Sequence, residues 1–179
     1  MRLFVAIPLE EKIKEEIFKY EEILKEKTRA KIKWVEKENI HITLKFLGEV
    51  KDSKLKEIRK SLASVMLGFM PFDITFMDVG YFPFEKNPRV LWVGADSLEI
   101  IKLAKKIDES MNIIGFEREK REFQSHITIA RIKEGYYDIN TIEKDIYFGK
   151  MTINKIGLYQ SHLSSKGPTY QIINTFLAQ

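Results

Sequence analysis

The phrase Ile40-His41-Ile42-Thr43-Leu44 returns in the second half of the chain as Ser125-His126-Ile127-Thr128-Ile129. Successive side chains of a β-strand point to opposite faces, so in each phrase the histidine and the threonine share one face. Ile42, Leu44, Ile127 and Ile129 point the other way, into a core. The chain must therefore build two strands, each with an apolar back and with an imidazole and a hydroxyl on its front. It holds only three histidines, and two of them stand in this phrase. The third, His162, also precedes a hydroxyl by two residues, at Ser164. It runs directly into the turn Ser164-Ser165-Lys166-Gly167-Pro168 and is read as structural.

The other segments alternate between strand and helix patterns. Leu3-Phe4-Val5-Ala6-Ile7, stopped by Pro8, reads as a buried strand. Ile13, Ile17, Tyr20 and Leu24 recur at helical spacing among Glu and Lys. The basic stretch to Lys33 reads as loop, with a brief strand at Trp34-Val35 before the first motif strand, which Gly48 helps to end. Asp52 or Ser53 is placed to cap a second helix carrying Leu55, Ile58, Leu62 and Val65. Phe72 to Val79 alternates as a strand, residues 80–88 form a turn-rich connection, and Arg89 to Val93 is a further strand. A third helix carries Ile100, Leu103, Ile107, Met111 and Ile114 and stops near Gly115. After the second motif come a short helix around Ile139 to Tyr147, a strand from Ile153 to Leu163 and a last strand from Tyr170 to Phe176.

This irregular alternation with hairpin-like pairs predicts an α+β fold with antiparallel sheets. Before each motif the order is a helix, a charged stretch and a strand led by histidine, which implies an internal duplication. Two lobes would each supply one His-x-Thr to a cleft between them. No Pro/Gly/Ser-rich linker separates the halves, so residues 1–179 are expected to form one bilobal unit.

Composition narrows the chemistry. With no cysteine, disulfides, thiolate nucleophiles and Cys-built zinc sites are excluded. The hydrophobic fraction of 44% and charged fraction of 31% are those of a globular chain, and many Lys, Glu and Ile residues suit heat adaptation. No apolar run approaches a membrane span, and Met1 to Pro8 is too soon followed by acidic residues to be a signal peptide, so a cytoplasmic protein is expected. The net charge of +4 favours a polyanionic partner. Lys25, Lys27, Arg29, Lys31 and Lys33 precede the first motif, and Arg118, Lys120 and Arg121 precede the second. Each cluster is either a solvated face or a guide for phosphates.

Two imidazoles facing one another across a phosphodiester meet the needs of metal-independent hydrolysis. One ring takes a proton from the attacking water and the other delivers a proton to the departing oxygen, and imidazole titrates near ~6.5. Thr43 and Thr128, on the same faces, can donate to the non-bridging oxygens. The pattern is nearly symmetric and leaves open which ring is the acid. Strict alternation puts Arg131 on the face opposite His126, so it can hold the phosphate only if the strand twists or ends before it. Tyr159, Phe46 and Trp92 are read as core aromatics, with base stacking as their alternative role. A metal hydrolase using His41, His126, His162 and Asp138 is a rival, although the chain has no close-spaced ligand pair.

Met1 to Ile7, Glu38 to Gly48, Arg89-Val90-Leu91-Trp92, Ser125 to Arg131 and Leu158-Tyr159-Gln160-Ser161 together resemble the 2'-5' RNA ligase family of two-histidine phosphoesterases. The resemblance covers essentially the whole chain. It implies two pseudo-symmetric antiparallel lobes with helices outside and a central cleft, and hydrolysis of RNA 2',3'-cyclic phosphate ends to 2'-phosphomonoesters. It further implies His41 as proton donor, His126 as proton acceptor, no cofactor, and a monomer acting on RNA ends such as those of tRNA fragments. The alternatives it raises are an RNA-end binding module and the reverse reaction, 2'-5' ligation. Ser125 stands where many relatives have proline, which concerns the entry of the backbone to the strand and not the chemistry.

Overall fold

In a computed structural model, all residues are described except Glu85, Lys144 and Lys166. Parts of three sequence expectations, the connection at 80–88, the helix near Ile139 and the turn at Ser164, thus lie outside the described residues. In chain order the elements are β1 (Arg2–Pro8), α1 (Glu11–Glu26), β2 (Lys31–Trp34), β3 (His41–Glu49), α2 (Leu55–Leu67), β4 (Phe72–Phe82), β5 (Val90–Asp96), α3 (Leu98–Ile113), β6 (His126–Glu134), β7 (Tyr147–Ile153), β8 (Lys155–Ser164) and β9 (Gly167–Leu177).

The strands form two antiparallel sheets, ordered β3-β1-β8-β9 and β2-β6-β5-β4-β7. The first four strands of one order match the last four of the other. In each sheet the motif strand lies beside the strand that precedes its helix, β3 beside β1 and β6 beside β5. The motif strands pack against one another at the junction of the sheets. The helices cross over: α1 packs on β7 of the opposite sheet, and α3 packs on β3. One continuous buried core runs through both sheets, including Leu3, Val5 and Ile7 of β1 and Leu91, Val93 and Ala95 of β5. Each fully buried Val, Leu or Ile contributes roughly 1.5–3 kcal/mol.

Several elements differ from expectation. The basic stretch is not all loop, because Lys31 to Trp34 pairs with β6 as an outer strand. Its Lys-Ile-Lys-Trp alternation leaves Ile32 and Trp34 half-buried and both lysines exposed. Neither Asp52 nor Ser53 caps α2; the helix is entered from a 3-10 turn at Asp52–Lys54 without a side-chain cap. α3 does have one, the Ser97 hydroxyl accepting from the Glu99 amide. The short helix near Ile139 is a single 3-10 turn, Ile139–Thr141, and Tyr147 already belongs to β7.

One ion pair ties the halves together behind the motif. Lys45 of β3 is buried, and its ammonium donates to Asp108 of α3 at 2.6 Å and to the Glu117 carbonyl at 2.8 Å. Burial alone would raise the Asp108 carboxyl, but Lys45, the Glu119 amide and Arg118 hold it below its ordinary range.

Candidate active site

The two motif strands are built alike. Each begins with its histidine, and their burial patterns are identical residue by residue. His41 Nδ1 lies 2.6 Å from the Asn39 carbonyl and His126 Nδ1 lies 2.8 Å from the Gln124 carbonyl. A carbonyl only accepts, so Nδ1 carries the hydrogen in both rings. Nε2 is thereby left as the nitrogen without a hydrogen on each neutral ring. The Thr43 hydroxyl is 3.0 Å from His41 Nε2 and donates to it while the ring is neutral.

His41 sits among aromatic rings: Phe4 at 5.0 Å, Tyr170 edge-on at 5.1 Å and Tyr159 stacked at 6.2 Å between centroids. His126 has a smaller wall, Phe82 edge-on at 5.3 Å, with Trp92 behind it at 5.3 Å from Phe82. The Trp92 ring lies so close over Gly80 that a Cβ there would fall 2.1 Å from a ring carbon, so only glycine lets the indole lie flat. Burial, the largest influence, pushes the His41 imidazole down to about 4; the Asn39 carbonyl opposes it and the charge of Lys14 adds to it. Lys14 reaches from α1 to donate to the Glu38 carbonyl at 3.4 Å, next to the carbonyl that fixes His41. Burial raises Tyr159 to about 12, which keeps it a neutral phenol.

Arg131 falls on the cleft face, which corrects the alternation argument. Trp92 pairs with Thr128 and Leu91 with Ala130, so Ile129 is an extra residue, a β-bulge. Beyond it the facing of side chains is reversed, and Arg131, opposite Val90, shares the face of Trp92, Thr128 and His126. β3 slips at the equivalent place. Val5 pairs with Lys45 and Ala6 with Thr43, leaving Leu44 over, so Phe46 rejoins the His41 face opposite Phe4. Phe46 and Arg131 hold equivalent positions on the two strands. Phe46 is not a core residue, being 62% exposed, whereas Tyr159 is buried in the aromatic group around Phe4. Trp92 is half-buried on the cleft face.

The basic clusters divide. Lys25 pairs with Glu22, Lys27 with Glu143 and Lys31 with Glu134, while Arg118 is held by Asp108 and Glu109. Lys33, Lys120 and Arg121 are exposed, and Lys33 abuts Gly167 at the β8–β9 turn. His162 lies on the exposed β8–β9 hairpin, 3.3 Å from Gln171, and Asp138 accepts from Asn140 at the 3-10 turn. Among the described residues no three His, Asp or Glu side chains gather as a metal-holding group. Alternation in β1 would have flagged Phe4 as a cleft residue. Nothing in the sequence marks Lys14, whose place depends on how α1 docks.

The chain matches the family described as LigT like Phosphoesterase twice, over residues 7–92 and 93–170, one match for each half and each containing one motif. It is 43% identical over 178 residues to the RNA 2',3'-cyclic phosphodiesterase of Methanocaldococcus jannaschii, covering 97% of this chain and 98% of that one. To the RNA 2',3'-cyclic phosphodiesterase of Archaeoglobus fulgidus it is 39% identical over 181 residues, covering 98% and 99%. Its fold is similar to a crystal structure from Thermus thermophilus, with a TM-score of 0.88, 27% identity and coverage of 99% and 97%. It is also similar to Escherichia coli LigT complexed with 3'-AMP, with a TM-score of 0.82, 25% identity and coverage of 99% and 97%. This chain belongs to the LigT-like phosphoesterases. Its α+β fold, with two antiparallel sheets, is the fold of that family.

Proposed function

We propose that this chain hydrolyses the 2',3'-cyclic phosphodiester at RNA ends to a 2'-phosphomonoester, with His41 and His126 as its acid and base. One observation carries the reading: both rings are locked through Nδ1 by a carbonyl two residues back, which frees Nε2 on each of two abutting motif strands. His126 takes a proton from water as the water oxygen bonds to phosphorus. The bond from phosphorus to the 3' oxygen breaks, and His41 protonates that oxygen. Thr43, Thr128 and Arg131 bind the non-bridging oxygens, where charge develops in the transition state. Phe46 offers an exposed ring to a base, and Lys33, Lys120 and Arg121 attract the RNA strand. With a 5' hydroxyl in place of water as the attacking group, the same residues in the same roles would join it to the cyclic phosphate through a 2'-5' bond. In this reading the unit is one bilobal monomer of the cytoplasm.

A second reading exchanges the two histidines. It is favoured by the burial that keeps His41 neutral, the state a base requires.

The test is incubation with an oligonucleotide ending in a 2',3'-cyclic phosphate, with and without EDTA, and identification of the product end. Metal-independent formation of a 2'-phosphate supports the reading, while a 3'-phosphate reverses the assigned substrate orientation. His41→Ala and His126→Ala should each lower the rate by roughly two to four orders of magnitude. The double variant should lose much less than the combined factor, because the residues act in one step. Binding of the cyclic end without turnover would leave an RNA-end binding module. If both single variants retain turnover while His162→Ala abolishes it, the paired-motif reading fails.

A further inference from the structure

Beyond the histidine pair, the cleft face continues along the strands to a second group of polar side chains. Leu3 and Val5 of β1 lie in the main core, so Arg2 alternates onto the face of Phe4 and Ala6, and Ala6 pairs with Thr43. Arg2 is four residues from Ala6, a span of ~13 Å along a strand, which exceeds a single cyclic phosphate. On the opposing sheet the bulge at Ile129 turns Arg131 onto the cleft face. Tyr170 of β9 is packed edge-on against both His41 and Phe4, at 5.1 and 5.0 Å. The charges of Arg131 and Arg2 both bear on the Tyr170 phenol, against the burial that raises it. Leu3 pairs with Gln160 and Ser161 with Tyr170, so Arg2 and Tyr170 stand on either side of Ser161 across the sheet.

Among the described residues neither arginine has an ion pair, whereas Arg118 has two. The cross-strand neighbour of Arg2 is Glu49, whose carboxylate is 3.5 Å from the amino terminus of Met1. Arg2 so placed sets a guanidinium beside a phenol, and guanidinium is the side chain best shaped to hold a phosphate through two hydrogen bonds.

We propose that Arg2 and Tyr170 form a second anion subsite for the phosphodiester upstream of the cyclic end, with Arg131 left to the cyclic phosphate itself, which makes an RNA strand a better substrate than a cyclic mononucleotide. The inference rests on the hydrolase reading above and deepens it. The exposed Phe46 ring, opposite Phe4 on the same face, lies along the path between the two phosphates.

The experiment compares kcat/KM for a 2',3'-cyclic mononucleotide with that for a trinucleotide ending in a 2',3'-cyclic phosphate, in the unaltered protein and in Arg2→Gln and Tyr170→Phe. The unaltered protein should favour the trinucleotide. In Arg2→Gln the ratio of trinucleotide to mononucleotide efficiency should fall by roughly ten-fold, the scale of one lost hydrogen bond to a charged group. Tyr170→Phe, which keeps the ring against His41, should lower the same ratio. The plot of log Kd against log salt for a 2'-phosphate-ended trinucleotide should become less steep by about 0.7 in Arg2→Gln, the contribution of one phosphate contact to a single strand. Equal efficiencies for the two substrates in the unaltered protein would overturn the subsite and leave the hydrolase reading intact. So would equal losses on both substrates in Arg2→Gln, or an unchanged salt slope. Turnover of neither substrate by the unaltered protein would overturn the hydrolase reading and the subsite with it.

Discussion

If His41 is the acid, bound phosphate must recharge it. In the free protein burial holds its imidazole at about 4, so at pH 7 the protonated form costs about 4 kcal/mol and is scarce. A singly charged phosphate ~4 Å from the ring, at an effective dielectric constant of about 20, stabilises the imidazolium by about 4 kcal/mol. That lifts the titration from about 4 to roughly 7, into the range in which an imidazole works as a general acid. The assay is a pH titration of the histidine ring resonances by NMR, assigned with His126→Asn and His162→Asn. It is run without ligand, with inorganic phosphate, and with an oligonucleotide ending in a 2'-phosphate. His41 should titrate near 4 alone and close to neutrality when loaded. A loaded His41 that still titrates near 4 would refute the donor assignment and make it the base, with His126 the acid. A free His41 titrating at 6.5 or above would refute the burial argument itself.

The same burial predicts a stability change. The folded value of about 4 lies below the unfolded value of 6.5, so as the pH falls through 6.5 the unfolded chain binds a proton that the folded His41 refuses. About 3 kcal/mol is lost between pH 6.5 and 4, and a His41→Asn variant should not show that part of the slope in urea unfolding.

Lys14→Met should raise the His41 titration in the NMR experiment, because the cation beside it is gone; Lys14→Arg should leave it close to the original value. Asp108→Asn leaves Lys45 buried without its carboxylate and should cost about 3 kcal/mol in urea unfolding, the usual scale for a broken buried pair. Glu21 on α1 is fully buried with neither oxygen hydrogen-bonded among the described residues, and burial, with Glu22 and Glu36 adding to it and Lys25 opposing, raises its carboxyl to about 8. Its folded value lies above the ordinary 4.5, so stability is lost as pH rises from 4.5 to 8, by up to about 5 kcal/mol. Glu21→Gln should flatten that decline when the melting temperature is followed against pH, and an unchanged slope would count against the buried charge.

Much of the site was legible in the sequence because its information is local. A histidine and a threonine two residues apart share a strand face whatever the sheet does, so His41 with Thr43 and His126 with Thr128 could be paired before any fold was known. The strand β2 was obscured because its partner, β6, lies in the other half of the chain. Its four-residue alternation, Lys31-Ile32-Lys33-Trp34, was overlaid by the density of lysine. Lys14 and Tyr170 were hidden for a similar reason, since each meets His41 only through long-range packing.

Arg131 is the more instructive case, because a local signal was present. Apolar residues at 127, 129, 130 and 132 cannot all face one side of a regular strand, and the two in succession mark the slip that reverses the strand's facing. In the first motif the same slip is disguised, because the second of the two inward positions is held by Lys45 and not by an apolar residue. A duplicated fold has a difficulty here. Two equivalent histidines on two equivalent strands offer a cyclic phosphate two opposite orientations of nearly equal energy, and only one of them places the acid beside the 3' oxygen. The equal bulges at Leu44 and Ile129 carry the next cleft residue of each strand to equivalent places, and those residues are unlike: Phe46 on one side, Arg131 on the other. A nucleotide is unlike at its two ends in the same way, with a flat base and an anionic phosphate. On the hydrolase reading proposed above, the slip in each strand would let a symmetric scaffold discriminate between the two orientations, with the aromatic side taking the base and the cationic side taking the phosphate.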